Sequence, residues 1–210
     1  MKHHRKIIYL AGFILTIPVA LTSYINSSFL EAYTDPYYVS IIYIVASLLS
    51  ILALLGMPSI LSHLGNRQAA VYLGLITVMA FVVLALSSNT NVVLLAFVIH
   101  FLSINLLFAN LDIFMEDFSG HKSIGKMRGV YLTIVHSGWV ISQIVSGSII
   151  AASSFEGLYL ISALFMFIFS LIFIFYLRDF NDPKYKLVPI LKTLKIFRSC
   201  LLYTSPSPRD

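Results

Sequence analysis

Charge is what this sequence has least of: 11% of its residues are Asp, Glu, Lys or Arg, where a soluble domain carries about 25%. With 59% hydrophobic residues and a mean hydropathy of +0.90, it has too little polar surface to clothe a water-soluble fold. Cysteine is nearly absent, Cys200 standing alone, which excludes a disulfide framework and a Cys-rich metal site. H-E-x-x-H and G-x-S-x-G are missing, and no aspartate pair falls on adjacent apolar runs near mid-membrane, so an intramembrane enzyme is not expected. The histidines do not make a metal centre either. His3 and His4 are terminal, His63 and His121 lie in or beside loops, and His100 and His136 lack a third ligand. No cofactor is therefore expected. The net charge of +5 invites a nucleic-acid reading, but the basic residues are not interleaved with a soluble fold and their placement has a simpler cause.

What the sequence has in abundance is long apolar runs. They occupy 7–30, 37–61, 69–86, 91–111, 130–152 and 158–177, each close to the roughly 20 residues that cross a hydrocarbon core. The first follows Lys2, Arg5 and Lys6 as a signal peptide would. Its apolar run is too long for one and no A-x-A type site follows, so it counts as a span.

The 14 Lys and Arg residues all fall in alternate loops and at the termini. They are Lys2, Arg5, Lys6; Arg67; Lys122, Lys126, Arg128; and Arg178, Lys184, Lys186, Lys192, Lys195, Arg198, Arg209. The other loops, 31–36, 87–90 and 153–157, hold none. By the positive-inside rule both termini face the cytoplasm, and the even split supports six spans. The expected fold is an all-α membrane protein with six transmembrane helices over residues 1–178, set in a bacterial inner (plasma) membrane. Residues 179–199 read as a cytoplasmic connector. Leu187, Ile190, Leu191, Leu194 and Phe197 form a helical stripe among Lys186, Lys192, Lys195 and Arg198, an amphipathic helix suited to anionic membrane lipid. Residues 200–210 break that pattern, resemble a translated sequencing adapter, and are set aside as a non-native tail.

Polar groups inside apolar spans are expensive and normally face protein or water; here they concentrate between Asn105 and Gly147. At 100° per residue, His100, Ser103, Leu107 and Asn110 share one side of the fourth helix, and Asn105, Ala109, Asp112 and Glu116 nearly the other. A mid-membrane imidazole such as His100 can carry a proton or bind solute, or rest neutral on a neighbour's hydrogen bond. On the fifth helix His136, Gln143 and Gly147 share a face, while Gly138, Ser142 and Ser146 make a small-xxx-small series that admits another backbone. In the first helix Thr16, Pro18, Thr22 and Ser23 suggest an interior position. The third and sixth spans are apolar on all sides and are expected at the lipid-facing periphery. Two triplets that each end in a greasy helix suggest 3+3 inverted repeats.

Six spans, inside termini, a tight loop between helices two and three and a basic connector together resemble the amino-terminal half of a major facilitator superfamily transporter. The loop from Pro58 to Gln68 resembles the family's G-x-L-a-D-R-x-G-R-K motif, keeping Gly65 and Arg67 with Ser62 in place of the acid. The resemblance implies a cytoplasmic gate of Gly65, Arg67, Asp112 and Glu116, with Arg67 paired to Asp112 or Glu116. Helix five resembles the family's antiporter motif at Gly129, Gly138, Ser142, Gln143, Ser146 and Gly147. These small residues, Gln143 apart, are expected to pack helices. The implied function is half of a secondary transporter that moves a small solute by alternating access with a carboxy-terminal half as partner. Thr22, His100, Asn105, His136 and Gln143 line the expected path, and H+ or Na+ is the coupling ion. The alternative is a non-transporting six-helix membrane scaffold.

Overall fold

A chain that crosses hydrocarbon must satisfy its own backbone polar groups, and apolar runs of this length do so as helices. The computed structural model describes residues 2–118 and 124–177, with side chains from 6 and from 125 onward in these two stretches. The helices are α1 (Lys2–Ser23), α2 (Asn26–Glu31), α3 (Pro36–Leu64), α4 (Asn66–Leu86), α5 (Thr90–Asp117) and α6 (Ile124–Tyr176), with no strand among the described residues. The connector 179–199, the tail 200–210, His121 and Lys122 lie outside the described residues.

Among the described residues, five helices are long and apolar enough to cross a membrane. A straight α6 of 53 residues would run about 80 Å at 1.5 Å per residue, far beyond the roughly 30 Å of hydrocarbon. It is not straight. Ser154 takes φ 63 and ψ −172 and divides it into limbs 124–153 and 155–176. Contacts with α1 show that the chain reverses there. Gly12, Thr16 and Ala20 meet Tyr131, Gly138 and Gln143 in the same order. Against the second limb the order inverts: Asn26 meets Tyr159, whereas Lys6 shares a groove with Phe175 and Tyr176. The limbs are therefore antiparallel crossings with α1 between them, and the fold has six spans.

The remaining neighbours follow the same logic. α3 runs parallel to α5, Tyr43 meeting Phe97 and Phe101 while Met57 and Leu61 cluster with Leu106. α4 runs antiparallel to α5 through Asn66–Asn110 and Phe81–His100. It is also antiparallel to the second limb through Arg67–Phe173, Gly74–Ser170 and Phe81–Tyr159. Exchanging the triplet α1, α3, α4 with α5, first limb, second limb maps these pairs onto one another. The pair α1 and first limb becomes α5 and α3; α1 and second limb becomes α5 and α4; α4 and second limb maps onto itself. Because α1 and α5 run in opposite directions, this is an inverted repeat with its axis in the membrane plane.

Two expectations need correction. The first apolar run does not form one helix to residue 30. α1 stops at Ser23, where the Thr22 hydroxyl takes the Pro18 carbonyl (3.0 Å) and the Ser23 hydroxyl takes that of Ala20 (3.2 Å), in competition with the backbone ladder. Nor do the third and sixth spans face lipid on all sides; each exposes one face, with Ile76 and Met79 on α4 and Leu164 and Phe167 on the second limb, and buries the other. α4 buries Ala70, Gly74, Thr77 and Phe81, and the second limb of α6 buries Tyr159, Met166, Phe169 and Phe173. The least covered helix is α3, with Val39, Ala46, Ser50, Met57 and Leu61 buried along its length. Composition misleads here because lipid-facing and helix-facing surfaces are equally apolar.

Candidate functional site: a polar pocket between α1, α3 and α5

Where α1 gives way to α2, a pocket of about 200 Å³ opens between α1, α3 and α5. Its polar lining is Thr22, Ser23, Asn26, Tyr43, His100 and Asn105, with Phe101 and Phe108 among its apolar walls. No charged side chain among the described residues lines it. His100 stands ten residues into α5, about 15 Å along the helix, hence near mid-membrane. The residue is 4% exposed, and its ring lies 4.4 Å from that of Phe81, centroid to centroid. Its Nδ1 is buried and lacks a hydrogen-bond partner among the described residues. A buried polar atom left unmatched costs on the order of 1–3 kcal/mol, and this one is closed to solvent even though the residue lines the pocket.

The other polar groups are partly committed to structure. The Asn105 amide nitrogen donates to the Phe101 carbonyl one turn back (2.8 Å). Asn26, which sequence reasoning did not single out, accepts a hydrogen bond from the fully buried Tyr159 hydroxyl (2.8 Å) and so ties the pocket rim to α6. The one legible signal was a lone amide near the end of an apolar run. Of the five residues expected on a solute path, the structure brings Thr22, His100 and Asn105 into this pocket. Gln143 and His136 lie elsewhere. The Gln143 amide donates to the Ala20 carbonyl (2.8 Å), which also accepts from the Ser23 hydroxyl in the last turn of α1 (3.2 Å). His136 is exposed on the first limb of α6, beside Thr133 and Ser137.

Beyond this pocket the sequence itself matches a known family model, described as Major Facilitator Superfamily, over residues 8–202. The chain belongs to the major facilitator superfamily. Comparison with the curated proteins gives no match. As a facilitator it is an integral membrane protein of a transporter family rather than an enzyme family, one whose members move small solutes, often with an ion.

The end of the facilitator that carries its described Lys and Arg residues, Lys6, Arg67, Lys126 and Arg128, holds the expected gate residues. Gly65 joins α3 to α4 alone, at φ 78 and ψ 161, a conformation that costs glycine little and other residues much. Arg67 does not reach for the acids it was expected to pair with in its hydrogen bonds. Its Nε and Nη2 donate to the carbonyls of Phe173 (3.0 Å) and Ile174 (2.9 Å), where the last turn of α6 presents unmatched oxygens and a partial negative charge. Asp112 pairs instead with Arg128 at 3.6 Å, both side chains more than half exposed, a geometry worth little on its own. Glu116 is exposed at the same end. Between these groups Asn110 donates to the side-chain oxygen (2.6 Å) and the carbonyl (3.0 Å) of Asn66, joining α5 to α4 inside a fully buried layer.

On the first limb of α6, Gly138 receives Thr16 of α1 at 3.3 Å from an added Cβ, and Ser142 is buried. Ser146 returns its hydroxyl to the Gln143 carbonyl (3.1 Å). At Gly129 and Gly147, also expected to pack, nothing lies within 4 Å of an added Cβ, and both are exposed. The glycines in tight contact are others: a Cβ on Gly12 would run into the Tyr131 ring, and one on Gly74 into the Ser170 hydroxyl.

Proposed function

We propose that the chain is the amino-terminal half of a secondary transporter whose solute binds in the pocket between α1, α3 and α5. The observation that carries this reading is the pocket itself, where Thr22 of α1 and His100 and Asn105 of α5 meet around a volume of about 200 Å³ near mid-membrane. Thr22 and Asn105 hold the solute beside His100. His136 and Gln143 belong to the path further along, where the exposed Thr133, His136 and Ser137 form a polar strip that lipid would solvate poorly. A second six-helix half covers that strip, and alternating access consists of the halves rocking about the shared pocket.

The basic end lies in the cytoplasm of a bacterial cell, by the positive-inside rule. There Gly65, Arg67, Asp112 and Glu116 form the gate that closes one access route, and residues 179–199 lead from the bundle 1–178 along the inner leaflet. The imidazoles are the ionisable side chains deep in the spans, which supports H+ as the coupling ion, with Na+ as the alternative. Uptake of a panel of radiolabelled small solutes into proteoliposomes holding the full-length protein, under a pH or a Na+ gradient, tests the reading. The expected result is uptake of at least one solute driven by the pH gradient and lost in a variant that combines Thr22→Val, His100→Phe and Asn105→Leu. Undiminished uptake by that variant contradicts the pocket assignment.

A further inference from the structure

We infer that the groove between α1 and the second limb of α6 binds one acyl chain of an anionic phospholipid whose phosphate is held by Lys6. The groove encloses about 560 Å³. Leu10, Ile14, Ile168 and Leu171 form its apolar length, and Lys6 and Tyr176 stand at its mouth. Lys6 to Ile14 is eight residues of helix, about 12 Å, close to one leaflet of a roughly 30 Å hydrocarbon layer. The groove therefore accepts a chain entering from the basic face and ends where the opposing leaflet begins. Lys6 is exposed, free to lay its stem along the groove and its ammonium at headgroup depth. Tyr176, 64% exposed, occupies the level at which aromatic side chains meet the membrane interface.

The inverted repeat supplies the comparison that gives the lysine its meaning. A groove of about 430 Å³ lies between α4 and α5. Its Val92, Leu95 and Ile99 repeat the spacing of Ile7, Leu10 and Ile14, and its Ile76, Met79, Ala80 and Val83 repeat that of Ile168, Leu171, Ile172 and Phe175. The fold thus builds one groove twice, once in each leaflet. The copy between α4 and α5 is lined by apolar residues throughout, and any lipid tail satisfies it equally. Among the described residues, only the copy at the basic end carries a cation at its mouth. Charge complementarity makes that copy selective for a lipid with net negative charge.

Native mass spectrometry of the full-length protein, released from micelles holding equal amounts of phosphatidylglycerol and phosphatidylcholine with identical chains, reads this selectivity. The wild type is expected to retain phosphatidylglycerol preferentially. Lys6→Gln lowers that retention about fivefold, towards the phosphatidylcholine level, and Leu171→Trp, which fills the groove and spares the charge, lowers it comparably. Lys126→Gln, at the same end but away from the groove, leaves it unchanged. Equal retention of both lipids by the wild type, an unaltered Lys6→Gln protein, or a loss in Lys6→Gln unaccompanied by one in Leu171→Trp overturns the inference. The last outcome would mean surface attraction without a seated chain.

Discussion

Gly74 on α4 faces Ser170 on the second limb of α6 so closely that a methyl group on the glycine would overlap the serine hydroxyl. The two helices are the third members of the two repeats, and this is where they cross the pseudo-two-fold axis. Gly74→Ala makes the Ser170 side chain or the helices give way, at a cost of up to roughly 3 kcal/mol against the about 1 kcal/mol that alanine gains over glycine in a helix. Gly56 has nothing within 4 Å, so Gly56→Ala shows the propensity gain alone. Thermal unfolding in detergent should move in opposite directions for the two variants, and Ser170→Gly should recover part of the loss at Gly74.

Ser154 reverses the chain in a single residue at φ 63 and ψ −172, a region populated almost only by glycine and costing other residues on the order of 1–3 kcal/mol. Ser154→Gly should therefore raise the unfolding midpoint and Ser154→Val lower it. A Cβ on Gly157 would strike the Ser153 hydroxyl across the same turn. Gly157→Ala is accordingly expected to destabilise, and Ser153→Gly to relieve it. Unchanged midpoints across this set would show that the limbs are joined differently.

Arg67 donates through two different nitrogens to adjacent carbonyls at the end of α6. Lysine cannot reproduce that fork, so Arg67→Lys should lose much of what Arg67→Gln loses, about 1 kcal/mol from the helix-end interaction. Since Asp112 is paired with Arg128, a double-mutant cycle between Arg67 and Asp112 should be additive within about 0.5 kcal/mol. Strong coupling in that cycle would restore the direct Arg67–Asp112 pair.

The spans and their number were legible because apolar length and the distribution of Lys and Arg are set by the bilayer, whatever the neighbouring helices do. The two sides of α5 were legible for a similar reason: His100, Ser103, Leu107 and Asn110 are buried while Asp112 and Glu116 are exposed, as a 100° period requires. Which helix touches which was not legible. In a membrane the contact between α4 and α6 depends on close fit at Gly74 and Ser170, not on hydrophobicity that lipid matches equally. The roles of Gln143 and Arg67 escaped for a related reason. Each donates to a backbone carbonyl near a helix end, and a sequence does not show which distant helix end will lie beside a given side chain.

On this reading Asn105 opens to a hydrated pocket that His100 also lines, whereas Ser103 stands in dry protein. Single cysteines at Asn105, in the pocket, and at Ser103, 2% exposed, test it in a Cys200→Ser background of the membrane-embedded protein. Labelling with a charged, water-borne thiol reagent should modify Asn105→Cys and leave Ser103→Cys unmodified. An inert cysteine at 105, or equal reaction at both positions, would contradict the account.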